Sequence, residues 1–362
     1  MSQNSNQQEL RKSIGFSAAV STVVGILIGS GVFFKPQAIY SATNGGPGLG
    51  LLAWLIGGLI TIAAGLTAAE ISASIIKPGG FMVYLEEIYG ERIGFLTGWM
   101  QVILFVPAIV AALGIIFAQE CVSLLGLNNE LYIIAIAIGI IVFIVLLNSL
   151  GAKFGGAIQT VSTICKLLPL AVIIIFGLMK GNSSQSMMTP LVGESVNIVS
   201  ALSQVLIATL FAYDGWINVG ALAGEMKNPS KHLPMAIVGG ISLVMAVYLV
   251  INVAYLRVVS ASDMALVSAP ATLVANKLFG DSGAKIISIG ILISVFGTLN
   301  GFILHSKIVS QISTTKNIAV AYRDSIVDFR IIRVSYKASK SFCLIFDSFF
   351  IISFSNGISA LL

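Results

Sequence analysis

Three stretches of the sequence set polar chemistry inside long apolar runs. Ile28-Gly29-Ser30-Gly31 interrupts the middle of the first run. Two glycines flanking a serine weaken a helix there, because glycine has the most backbone entropy to lose. In hydrocarbon a broken helix strands peptide N–H and C=O groups, which is tolerated only where the backbone is buried in protein or lines a wet cavity. The helix restarting near Val32 turns a partial positive charge toward such a site, which suits a carboxylate. The second stretch, Phe211-Ala212-Tyr213-Asp214-Gly215-Trp216, places aromatics, an acid and a glycine where a lipid-facing helix would carry none of them together. The third is Lys166, near the middle of another run. A charge at that depth is expensive and normally faces the bundle interior with a partner.

The elements that must carry these residues follow from composition. The chain has 362 residues, 57% apolar and 10% charged, with mean hydropathy +0.98. That balance excludes a soluble protein and calls for a multi-span, all-α membrane protein. The apolar runs are long and continuous, unlike the short alternating strands of a membrane barrel. Eight spans are expected, roughly at 14–40, 48–76, 93–118, 131–149, 154–178, 197–223, 234–257 and 282–304. The first is split at Gly29 to Gly31, and the second follows the turn signal Asn44-Gly45-Gly46-Pro47-Gly48. The loop Ser260 to Asp281 carries Met264, Leu266, Val267, Leu273, Val274 and Leu278, which suit one short surface helix.

The net charge is +5. Its basic residues sit singly beside apolar runs, as orientation signals do, so the lipid bilayer and not nucleic acid is the expected partner. Arg11, Lys12, Lys77, Arg92, Lys153, Lys227 and Lys231 fall on one side by loop parity, which places the N-terminus in the cytoplasm. Residues 1–12 form a polar tail, and the first run lacks a cleavage site, so it reads as a retained helix. Cys121, Cys165 and Cys343 show no pair spacing, and His232 and His305 stand alone, so no disulfide, metal or cofactor is expected. No nucleophile–base pair or phosphate loop lies at membrane depth, which argues against an enzyme.

The pattern Ile28 to Phe33, Phe211 to Trp216, and Gly224-Glu225-Met226-Lys227-Asn228-Pro229 with Pro234 resembles the amino acid–polyamine–organocation superfamily. The nearest likeness is to bacterial serine/threonine-exchanger-like members of its L-type amino acid transporter branch. Glu70, Pro78, Gly79, Gly80 and Tyr84 fit the same family. The resemblance covers about residues 12–304 and implies a LeuT-type inverted-repeat transporter fold. In that fold helices 1 and 6 are discontinuous, the first five-helix repeat falls at 13–180, and helices 6–8 of an incomplete second repeat fall at 195–304.

The resemblance also implies roles. Peptide N–H groups around Ile28, Gly29, Ser30 and Gly31 would hold a substrate carboxylate, and carbonyls near Phe211, Ala212 and Asp214 its ammonium. The physics agrees, since a zwitterion leaving water needs partners for both charges. Phe211 would close over the substrate, with Tyr213 and Trp216 as further gating candidates. Lys166 would tie span five to span one where sodium-coupled relatives bind the ion, or carry a proton. Asn300 would lie on the substrate path. Each residue has a plainer reading: packing glycines, aromatics filling space, a lysine reaching a polar surface along its stem, an acid at a wet break, and asparagines bonding across helices.

These readings imply secondary transport of small neutral amino acids by alternating access, through exchange or proton coupling. The alternative is a truncated, transport-inactive remnant or an amino-acid-binding membrane protein, because the resemblance fades after Leu304. Residues 305–322 look truncated or altered in frame. The divergent tail 305–362 offers at most one marginal helix, at 342–354. The sequence carries no signal of oligomeric state.

Overall fold

The structure is a computed structural model describing residues 15–75, 80–127, 129–149, 152–182, 186–217, 220 and 226–324. Arg11, Lys12, Lys77, Pro78, Gly79, Gly224, Glu225, Cys343 and the stretch 342–354 lie outside the described residues. All regular elements among the described residues are helices. They are α1 (Phe16–Leu27), α2 (Gly31–Ala42), α3 (Pro47–Ser74), α4 (Phe81–Tyr89), α5 (Glu91–Met100), α6 (Val106–Leu125), α7 (Glu130–Ser149), α8 (Ala152–Lys180), α9 (Ile198–Ala212), α10 (Pro229–Val258), α11 (Ala261–Ala265) and α12 (Pro270–Asp324). Residues Met1–Ser310 belong to one compact unit. In the second, Gln311–Leu362, the described residues form only the helical stretch 311–324.

Among the described residues six helices are long and apolar enough to cross a membrane, or seven when α1 and α2 count as one span bent by 42°. The expected third span is longer than 93–118: α5 and α6 join through a π-helical turn at Gln101–Phe105 and run from Glu91 to Leu125. Of the expected span 197–223, α9 supplies 15 residues and stops at Ala212. The loop after α10 holds two helices where one was expected. Pro270 cannot continue a chain of helical hydrogen bonds but suits a first turn, so α12 starts afresh there. Met264 and Val274 are fully buried, while Leu266 points out at 85% exposure.

The core is built on α3 and α10, which pack along each other, with α1 against α10 and α9 against α3. Trp54 of α3 and Tyr248 of α10 meet edge-on at 5.2 Å, and Tyr213 lies 5.1 Å from Tyr248. Apolar side chains such as Leu59, Leu66, Ile138, Leu146, Ile164 and Leu168 face outward. In a bilayer that surface meets lipid, so it carries no penalty.

Candidate functional site

Helix α1 ends where the glycines begin. Ile28 is already extended (φ −74°, ψ 90°), and helical hydrogen bonding resumes at Gly31. The last carbonyls of α1 therefore lose their helical partners, as at any helix C-terminus. Side chains from other helices replace them. Lys166 of α8, fully buried, donates to the Gly25 carbonyl. The Tyr248 hydroxyl lies 2.8 Å from the Leu27 carbonyl. A cation at this helix end also complements the helix dipole.

On the other side of the break, α2 presents unpaired donors. The Ser30 carbonyl accepts from Phe33 and Phe34, whereas the Ser30, Gly31 and Val32 amides have no backbone acceptor among the described residues. Pro36 lacks an N–H for the Val32 carbonyl, and the Tyr255 hydroxyl approaches that oxygen at 3.4 Å. Three amides at a helix start make a place for an anion.

Helix α9 meets this break at close range. A Cβ on Gly31 would sit 2.7 Å from the Ala212 Cβ, so only glycine lets the two backbones touch. After Ala212 the chain turns through Tyr213 to Gly215, whose φ of +107° suits glycine alone. The Gly215 amide bonds the Asp214 carboxylate. Residues 218–219 and 221–225 lie outside the described residues, so the continuation of this segment is not described. Tyr248 also spans the two interruptions: its hydroxyl lies 3.2 Å from the Ala212 carbonyl.

Between these ends lies a cavity of about 30 Å³, bounded by Gly29, Ser30, Gly31, Phe211, Ala212 and Asp214. Ile26 and Leu27 of α1, Ile109 and Leu113 of α6, and Thr298 and Phe302 of α12 complete the wall. The volume holds one or two waters. An amino acid would have to widen it. Ile28 is buried beside the cavity and not on its wall. Tyr213 points into the core, bonding the Trp54 carbonyl at 2.9 Å, and Trp216 packs half-buried against the core. Asn300 is bonded to Asn148 at 2.8 Å, and neither residue is on the cavity wall.

Several site residues were not singled out in the sequence. Thr298 and Phe302 line the cavity where Asn300 was the candidate from the same span. Tyr248 joins both breaks. Lys35 of α2 sits over the ring of Phe211, its ammonium 4.0 Å from the centroid. A lysine four residues after Gly31, inside an apolar run, was the available signal for it.

The sequence pattern of the amino acid permease family matches residues 14–314. The chain is 47% identical over 296 residues to the serine/threonine exchanger SteT of Bacillus subtilis, covering 82% of this chain and 66% of that protein. It is 30% identical over 306 residues to the human b(0,+)-type amino acid transporter 1, covering 83% and 62%. It is 28% identical over 299 residues to the human cystine/glutamate transporter, covering 81% and 59%. The chain thus spans less than two thirds of the length of these relatives. They are transporters and not enzymes, and the apolar helices make this a multi-pass membrane protein. The match over most of the chain and the identity to SteT place the chain in the amino acid permease family of the amino acid–polyamine–organocation superfamily.

Proposed function

We propose that the protein exchanges small neutral amino acids, serine and threonine first, across a cell membrane with its N-terminus in the cytoplasm. The observation that carries this reading is the meeting of two interrupted backbones at one cavity. Free amides of Ser30, Gly31 and Val32 stand on one side, and the carbonyl end of α9 stands on the other. The amides suit a carboxylate, and the carbonyls near Phe211, Ala212 and Asp214 suit an ammonium group. The tight packing of Gly29 and Gly31 favours a small side chain. The likeness to SteT, a serine/threonine exchanger, supports serine and threonine as the first substrates to try.

In this reading Phe211 caps the substrate, and Lys166 holds α8 to the end of α1 while α2 and α9 move apart to admit it. The inverted repeats, 13–180 and 195–304, supply the alternation. The test is counterflow of labelled serine into proteoliposomes preloaded with unlabelled serine, threonine or alanine. Accelerated uptake is expected. Folded protein that shows no counterflow overturns the reading, and thermal stabilisation by serine without counterflow would leave an amino-acid-binding protein.

A further inference from the structure

Lys35 brings a positive charge to the same face of α2 as the cavity. It follows Gly31 by four residues, so the two share one face of the helix, about 6 Å apart along its axis. Gly31 lies near the middle of the first span, which leaves Lys35 inside the hydrocarbon depth of a bilayer about 30 Å thick. A lysine at such a place normally stretches its stem toward the nearest headgroups. This one lies over Phe211 instead, with its ammonium 4.0 Å from the ring centroid. Lys35 is half-buried, and no ion pair among the described residues involves it. An aromatic face replaces only part of the water that a cation gives up. A methionine or leucine would pack on the ring without that penalty, so the charge calls for a use.

Phe211 is the group that the ammonium and the cavity share, since the same residue bounds the cavity wall. An occupant touching any atom of that ring at about 4 Å lies within about 9 Å of the ammonium. That is inside the screening length of about 10 Å at 0.1 M salt. The other charges near the site are already engaged. Lys166 donates to the Gly25 carbonyl, and Glu120 of α6 accepts from Thr272. The Asp214 carboxylate is held by the Gly215 amide, at the end of the cavity that suits a substrate's α-ammonium. A substrate seated that way answers Asp214 with its own ammonium, and its side chain is left to meet the field of Lys35.

We propose that Lys35 is a specificity-determining residue of this cavity, opposing cationic side chains and lowering the penalty on anionic ones. The inference rests on the exchange reading for where a substrate sits. Coulomb's law over about 9 Å, between water-like and protein-like screening, gives about twofold to twentyfold for one unit charge.

The test uses pairs of amino acids that differ in charge but little in shape. One pair is homoserine and 2,4-diaminobutyrate, the other asparagine and aspartate. Each is titrated at neutral pH as an inhibitor of serine counterflow, and as a ligand that raises the unfolding temperature of the protein in detergent. In Lys35→Met, diaminobutyrate should gain on homoserine by about twofold to twentyfold, and aspartate should lose on asparagine by a similar factor. Lys35→Glu should move both ratios further the same way, and Lys35→Arg should keep those of the wild type. A lysine that merely anchors the ring would weaken both members of each pair together. Unchanged ratios in both Lys35→Met and Lys35→Glu therefore overturn the proposal, as do shifts of the opposite sign. Wild-type protein without serine counterflow would instead overturn the exchange reading, and the thermal ratios would still decide the role of Lys35.

Discussion

Tyr248 places its hydroxyl 2.8 Å from the Leu27 carbonyl, the last of α1, and 3.2 Å from the Ala212 carbonyl, the last of α9. The hydroxyl has one proton, so it can serve only one carbonyl at a time. A single side chain on α10 thus reads the positions of both broken ends. When one end moves, the proton can pass its bond to the other without leaving a buried donor unpaired.

Tyr248→Phe removes that hydroxyl while keeping the ring against Trp54 and Tyr213. The carbonyl that the hydroxyl serves then loses its donor, which costs about 1–3 kcal/mol. Thermal unfolding in detergent should show the loss, and serine counterflow should slow. An unchanged melting midpoint together with unchanged exchange would mean that the hydroxyl serves neither end.

Gly31→Ala and Gly29→Ala form a matched pair. At Gly31 the new Cβ meets the Ala212 Cα at 2.8 Å, and backbone cannot yield without separating α2 from α9. At Gly29 the nearest atoms are 3.1 Å away on the Thr298 side chain, which can rotate. Gly31→Ala should therefore cost about 1–3 kcal/mol of stability and abolish exchange, while Gly29→Ala costs less. Melting curves and counterflow on both variants check the order, and the reverse order would place the tight contact elsewhere.

The break in the first span was legible because its cause is local. Glycines at 29 and 31 act on the backbone wherever they sit, and the cavity lies against them. Lys166 was legible for a similar reason, since a charge in the middle of an apolar run must find a partner. Tyr248 was not. Its partner on α1 is 221 residues away, and only the packing of α10 against α1 and α9 brings them together. Tyr213 was misleading in the opposite way. It sits within the second interruption, but the turn after Ala212 sends its ring inward to Trp54. Asn300 and Thr298 differ by two positions on one helix, and the helical rotation between them decides which one reaches the cavity.

Lys35 and Phe211 should be energetically coupled. A cation over an aromatic face is worth about 0.5–2 kcal/mol, more as water is excluded. A double-mutant cycle of Lys35→Met and Phe211→Leu, read by thermal unfolding, should give a coupling in that range. Strictly additive effects would mean that the lysine passes by the ring without holding it. With coupling present, Lys35→Met should also weaken serine-induced stabilisation, because the ring bounding the cavity loses its anchor.

Lys166→Met separates stability from transport. Methionine fills a similar volume in apolar surroundings, and no longer burying an ammonium group offsets much of the cost of leaving one carbonyl without its donor. The variant should stay folded and monodisperse. What it loses is the donor to the Gly25 carbonyl, whose helical partner would be the amide of residue 29, beyond the end of α1. A hydrogen bond from a charged group is worth about 1.5–3 kcal/mol, so exchange that depends on α1 being held to α8 should fall about tenfold to a hundredfold. Folded Lys166→Met with full counterflow would reduce this lysine to a cap on a helix end, and the motion of the site would have to be driven from elsewhere.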